Sequence, residues 1–138
     1  MSSKTRSNLG TIISVRGSVV DVLFANYLPP INSLLHTGRD EQIVIEVWAQ
    51  LSAHAVRGIA LTPTQGLARG MAVTDTGGPL KAPVGKGILS RMFDVFGNVI
   101  DRGETLSNVE WRSVPRTPPS LAERSTCRPI PRANDNSC

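Results

Sequence analysis

The first eighty residues consist of short β-branched and aliphatic segments that glycine and proline repeatedly interrupt. Two segments alternate apolar and polar residues with the period of a strand: residues 18–24, with Asp21 at a polar position, and residues 42–48, with Glu46 there. Such alternation is typical of strands that turn one face to a core and the other to water. Charged residues on or beside these strands, Asp75 among them, are therefore expected to face solvent.

Turn signals separate the strands, among them Arg16-Gly17, Pro29-Pro30 and residues 76–79. No helical period appears between them, and this spacing predicts a small closed β-barrel, since closure removes the exposed sheet edges. The predicted strands are residues 11–15, 18–24, 42–48, 55–61 and 71–75.

The pattern changes after residue 82. Between Lys86 and Phe96 the apolar residues recur in steps of three and four, which predicts a short helix that Gly97 would cap. These apolar residues are Ile88, Leu89, Met92, Phe93, Val95 and Phe96.

The segment 112–138 holds five of the ten prolines and no periodic apolar pattern, so it is predicted to be extended or disordered. The fold class is therefore all-β: a small closed antiparallel barrel, a short helix at 86–96 and a C-terminal tail. The predicted divisions are a flexible N-terminus at 1–8, the barrel at 9–82, a connecting part at 83–111 and the tail at 112–138.

The basic character lies mostly in the tail. Residues 1–110 hold ten Lys/Arg and nine Asp/Glu, a net charge of +1, whereas residues 111–138 hold five and two, a net charge of +3. The barrel is thus almost neutral, which is weak support for a nucleic-acid surface. Phe24, Tyr27 and Trp48 are its only aromatics, and no strand joins two of them to a basic residue.

A search for catalytic chemistry finds no constellation. The nearest match to a phosphate-binding loop ends at Gly85-Lys86, but Leu80 replaces its first glycine and Gly87 its hydroxyl residue, so a turn entering a helix is expected instead. His36 and His54 are isolated, and Asp40-Glu41 is expected to be solvated.

Cys127 and Cys138 are interpreted as incidental, because the chain has no C-x-x-C pair and both histidines are distant in sequence. Arg57 and Arg69 are candidates to pair with barrel carboxylates. No catalytic, cofactor-binding or metal-binding residue is predicted, and no nucleic-acid partner. The polar N-terminus and the lack of an 18-residue apolar run predict a cytosolic chain that does not insert in a membrane.

Longer stretches resemble the opening of the β subunit of F-type ATP synthases. The resemblance begins at 17–24 and 28–31, and is strongest from Val56-Arg57 through Asp75-Thr-Gly-Gly-Pro79. It continues in register through Pro83-Val-Gly85 and Ile100-Asp101 to about Thr126. Residues 62–64, 77–80 and 88–92 are similar to the variant F-type family thought to move sodium ions or protons.

The resemblance implies a six-stranded barrel at 9–82 that joins α and β subunits into a ring, and the start of a nucleotide-binding domain at 83–126. The family's Mg-ATP/ADP site has no matching position here, so no cofactor is expected. Partners implied are the α subunits and other F1 subunits, at the inner face of the membrane; alone, the chain is expected to be monomeric or weakly self-associating.

Residues 127–138 depart from the family pattern, which suggests a frameshift or premature stop that leaves a non-enzymatic piece of the subunit. Two alternatives stay open. One is a stand-alone barrel that binds single-stranded nucleic acid or protein, and the other is an assembly factor or inhibitor that enters the ring.

Overall fold

A computed structural model describes residues 8–124, in which eight strands form a closed barrel and a separate two-stranded sheet. The barrel strands are β1 (Leu9–Arg16), β2 (Val19–Phe24), β3 (Ser33–Thr37), β4 (Ile43–Gln50), β5 (Ala55–Ala60) and β6 (Ala72–Pro79). Their spatial order is β1-β2-β5-β4-β3-β6, with every neighbouring pair antiparallel and β6 closing on β1. The expected six-stranded barrel is thereby confirmed.

The inward-facing apolar side chains of the alternating strands β2 and β4 fill part of the barrel interior. Val22 and Phe24 on β2 and Ile45 and Val47 on β4 are completely buried. Strand pairing around the closed sheet satisfies most of the strand backbone internally, so the interior is filled by apolar side chains. The ten core residues are Ile12, Val20, Val22, Phe24, Leu35, Ile43, Ile45, Val47, Val56 and Val73.

Strand β3 was not predicted from the alternation of residues. Its burial is nearly continuous, with only His36 half-buried, because its inner face meets the core and its outer face lies beneath a later part of the chain. The strand pairs with β4 on one side and β6 on the other.

The short helix predicted at residues 86–96 is wrong. Only a single 3₁₀ turn forms, Lys86–Ile88, after which Leu89 is extended and Ser90 has a φ of 59°. Phe93 then bridges Val99 in antiparallel fashion.

Two carboxylates explain why the helix is absent. The carboxylate of Asp94 accepts hydrogen bonds from the backbone N–H groups of Phe96 and Asn98, each at 2.9 Å. Asp101 accepts those of Met92 and Gly103, at 3.0 and 2.9 Å. Such side-chain acceptors offer the backbone an alternative to i→i−4 bonding.

The boundaries also differ in detail from the predicted ones. The barrel ends at Pro79 rather than residue 82, and β7 (Lys81–Val84) already pairs with β8 (Glu110–Ser113) in the second sheet. Ser120 begins a further 3₁₀ turn, Leu121–Glu123, through a reciprocal capping box.

At the other end, the prediction of a flexible terminus is wrong for Asn8. Asn8 is only 2% exposed, and its side-chain amide donates a hydrogen bond to the Tyr27 carbonyl at 2.8 Å. The predictions for residues 1–7 and 125–138, including the departure near 126 and both cysteines, lie outside the described residues.

Candidate interaction surface

The described residues bring together no group of three or more His, Cys, Asp or Glu side chains that could hold a metal ion. His54 is exposed in the turn before β5, and His36 lies on β3 facing the later part of the chain. The Gly85-Lys86-Gly87 stretch enters one 3₁₀ turn rather than a helix, so within 8–124 it presents no helix N-terminus of useful length.

The outer face of the barrel across β1, β2, β5 and β4 is therefore the surface with most recognisable chemistry. Strand register arranges its side chains in rows that cross the strands. Thr11, Leu23 and Ala55 form the first row. Ser14, Asp21, Arg57 and Ala49 form the second, and Arg16, Val19, Ile59 and Glu46 form the third. We call this surface the β2–β5 face, after its two central strands.

An ion pair lies at the centre of the β2–β5 face. Arg57 donates from Nε and Nη2 to the two carboxylate oxygens of Asp21, at 2.7 and 3.0 Å. Arg16 approaches the same carboxylate at 3.6 Å. The Arg57 hydrogen bonds, opposed by desolvation and aided by both positive charges, lower the pKa of Asp21 below its usual value.

The expectation that Asp21 and Asp75 face water is wrong, since the two residues are only 6% and 8% exposed. Arg57 covers the first carboxylate, and the second accepts the Gly77 N–H at 2.9 Å. Of the two arginines predicted to pair across the barrel, Arg57 is confirmed, whereas Arg69 takes part in no ion pair within residues 8–124.

We expect Asp21→Asn to destabilise the barrel by about 1 kcal/mol at pH 7, because a bidentate charge-assisted pair becomes a neutral hydrogen bond. A carboxylate whose folded pKa is depressed stabilises the fold above its unfolded pKa of about 3.9, and this contribution is lost as pH falls through the folded pKa. Urea unfolding at pH 7 and pH 3 measures this contribution to the free energy of unfolding.

The difference between wild type and Asp21→Asn should therefore shrink on acidification. The exposed carboxylate Asp40 provides the control, since Asp40→Asn should change stability little at either pH. A difference for Asp21→Asn that grows toward pH 3 would contradict the assignment.

Apolar side chains flank the central ion pair. Val19 and Ile59 are each 37% exposed, Leu23 is 44% exposed, and Trp48, beside the β4 bulge, is 65% exposed. Phe24, in contrast, lies inside the core, so the three barrel aromatics do not form one stacking surface.

A second feature is a cleft of about 520 Å³ between the outer side of β3–β4 and the segment after the barrel. Leu34 and Val44 line its barrel side, and Phe96 and Trp111 line the other. Arg91 holds this segment together by donating to both oxygens of Asp101, at 2.7 and 3.2 Å, and to the Glu104 carbonyl. This pair was not predicted from the residues, because Arg91 was placed in a helix that ended before Asp101.

A closed six-stranded antiparallel barrel whose outer face carries both charged and apolar side chains places the chain in the class of small β-barrel domains. No helix in this range is long and apolar enough to cross a bilayer.

Comparison with known proteins gives the particular family. Residues 12–77 match the model of the ATP synthase alpha/beta family, beta-barrel domain. The chain therefore contains the beta-barrel domain of that family, and it is similar to the N-terminal part of ATP synthase β subunits.

Three relatives illustrate the similarity. The chain is 64% identical over 131 residues to ATP synthase subunit beta 1 of Marinomonas sp. (strain MWYL1), covering 91% of this chain and 27% of the relative. It is 67% identical over 119 residues to ATP synthase subunit beta 2 of Polaromonas naphthalenivorans, covering 86% and 25%. The third, ATP synthase subunit beta 2 of Albidiferax ferrireducens, is 70% identical over 119 residues, covering 86% and 23%.

The chain thus spans about a quarter of the length of these curated relatives. The resemblance stated from the sequence is confirmed. The alternative of a stand-alone nucleic-acid-binding barrel is not favoured by these matches.

Proposed function

We propose that this chain supplies the assembly barrel of a rotary ATP synthase β subunit and does not itself catalyse ATP synthesis or hydrolysis. The observation that carries the proposal is the closed six-stranded barrel at Leu9–Pro79, which coincides with the family's barrel match at 12–77. Barrel closure satisfies the strand backbones internally, so the barrel is expected to fold without a following domain.

The non-catalytic part of the proposal rests on the residues present. Cradling a triphosphate requires a glycine-lined loop followed by Lys and Ser or Thr, and the nearest stretch has Leu80 and Gly87 at two required positions. Lys86 lies in a three-residue 3₁₀ turn after Gly85, so its backbone does not lead into a helix that could receive a phosphate. We therefore expect no Mg-ATP or Mg-ADP site in residues 8–124.

The proposed partners are ATP synthase α subunits and other F1 subunits, with which the barrel would lie in a ring at the cytoplasmic face of the membrane. The β2–β5 face supports this role, because it combines partly exposed Val19, Leu23 and Ile59 with a fixed ion pair. Arginine is enriched in interfaces between subunits, and partly exposed aliphatic side chains can supply their apolar contacts.

Two measurements test the proposal. Titration calorimetry with Mg-ATP is expected to show no binding at concentrations up to about 1 mM, and a micromolar Kd would contradict the non-catalytic role. Co-expression with an ATP synthase α subunit is expected to yield co-purification of the two chains. Capture of the wild type must exceed capture of Phe24→Ala, which we expect to be unfolded, and failure of the folded chain to bind would overturn the assembly role.

A further inference from the structure

The cleft between the barrel and the segment after it is a concave site that the assembly role does not use. Its volume of about 520 Å³ lies within the range of small-ligand sites, about 300–1,000 Å³. Leu34 and Val44 line it from the barrel, and both are nearly buried. Phe96 and Trp111 line it from the later segment, so its walls are apolar and partly aromatic.

Close packing fixes the aromatic side of the cleft. The ring of Trp111 lies so near to Gly97 that a Cβ atom at that position would collide with it. Gly97 has a φ of 84°, a left-handed conformation that glycine adopts without strain. A flat aromatic ligand therefore meets a wall that is already formed, and binding does not have to order it.

The polar side chains that line the cleft offer hydrogen-bond donors. Thr62 Oγ1 accepts the Val44 N–H at 3.0 Å, and its hydroxyl still carries a hydrogen for a ligand. His36, half-buried on β3, adds a ring N–H, and Lys81 adds an ammonium group. Donors of this kind require a ligand that brings acceptor oxygens.

The charge of the lining selects an anion. Lys81 is exposed and takes part in no ion pair within residues 8–124. No Asp or Glu of this range lines the cleft. The carboxylate of Asp94, which touches the lining residue Asn98, already accepts two backbone N–H groups and the Asn98 amide. One lysine matches a single negative charge, and not the several charges of a triphosphate.

We infer that this cleft binds a small aromatic carboxylate with one negative charge and two fused rings. The rings pack between the aliphatic wall of Leu34 and Val44 and the aromatic wall of Phe96 and Trp111. The carboxylate accepts a charge-assisted hydrogen bond from Lys81. The inference does not rest on the assembly role, since it concerns the chain alone, so either can fail without the other.

Titration of the ¹⁵N-labelled 138-residue chain with 2-naphthoate provides the test, followed by the indole N–H signals of its two tryptophans. Trp111 should shift saturably, with a Kd of about 0.1–1 mM for a ligand of this size. Trp48 is the internal control, because it lies four residues beyond Val44 on β4, about 13 Å away, and is 65% exposed. Trp48→Phe assigns the two signals.

The neutral amide 2-naphthamide separates charge recognition from stacking. It should bind wild type at least about threefold more weakly than 2-naphthoate. Lys81→Glu should weaken 2-naphthoate at least about tenfold and leave 2-naphthamide within about threefold. Lys86→Glu is the matched control, an exposed lysine outside the cleft lining, and should leave the Kd of 2-naphthoate within about twofold.

Three results would overturn the inference. One is a Trp111 signal that does not shift saturably up to about 5 mM 2-naphthoate, or that shifts no more than the Trp48 signal. Another is an amide that binds as tightly as the acid, and the third is Lys81→Glu behaving like Lys86→Glu. Should Lys81→Glu not fold, Lys81→Met must weaken 2-naphthoate at least about threefold instead, and no effect would overturn the inference equally.

Discussion

Phe24→Ala is expected to leave most of the protein unfolded at 25 °C. The ring of Phe24 is completely buried among the core residues, and it is the largest side chain there. Its removal leaves a cavity that the closed sheet cannot collapse to fill, at a cost of about 3–5 kcal/mol. A barrel of this size has roughly 5–10 kcal/mol of stability in total, so little would remain.

The neighbouring Leu23 provides the matched control for this change. It occupies the next position of the same strand but points outward and is 44% exposed. Leu23→Ala should therefore reduce the free energy of unfolding by less than about 1 kcal/mol. Urea denaturation followed by far-ultraviolet circular dichroism measures both variants, and equal losses would contradict the assignment of inner and outer faces.

Gly58→Ala is expected to have the second largest effect. A Cβ atom at Gly58 would lie 2.4 Å from Cγ2 of Ile45 and 2.9 Å from the carbonyl oxygen of Glu46. The side chain of Ile45 is fixed in the core and the carbonyl belongs to strand β4, so β4 and β5 must separate. Overpacking of this kind costs about 1–3 kcal/mol, and we expect the upper end because backbone must move.

Gly78 allows a control with the same chemical change. A Cβ atom at this position on β6 meets nothing within 4 Å. Gly78→Ala should therefore be neutral, or stabilising by about 0.5 kcal/mol because it restricts the unfolded chain. Thermal unfolding of the two variants compares them directly, and a smaller loss for Gly58→Ala than for Gly78→Ala would refute the close approach of β4 and β5.

Short apolar segments and turn signals were sufficient to predict five of the six barrel strands, and alternation gave the buried faces of β2 and β4. Ile45 and Val47 point inward and Glu46 outward, as the period of two requires. Alternation could not reveal β3, because Ser33–Thr37 is covered on both faces and therefore lacks the contrast on which the prediction depends.

The interaction surface was only partly predictable. The sequence offered Arg57 as a partner for a barrel carboxylate, but the choice of Asp21 depends on the register between β2 and β5. The alignment of residues across β1, β2, β5 and β4 depends in addition on the bulges in β1 and β4, which shift later residues relative to earlier ones. Neither bulge leaves a clear sign in a single sequence.

Segment 86–96 shows the opposite case, in which a clear pattern led to a wrong structure. Steps of three and four along Ile88, Met92 and Val95 indicate a helix only if the resulting apolar stripe is buried. Met92 and Val95 are instead 59% and 69% exposed. Carboxylates of Asp94 and Asp101 capture the local backbone N–H groups, so the segment folds as linked turns.

The sequence by itself determined the alternating strands, the identity of the core residues on them and the presence of the beta-barrel domain of the ATP synthase alpha/beta family. Only the tertiary structure decided β3, the burial of Asp21 beneath Arg57 and the loss of the helix after Gly85. The physical reason is one of range: side-chain period is a local property, whereas burial on both faces, cross-strand register and capture of N–H groups depend on residues that only the folded chain brings together.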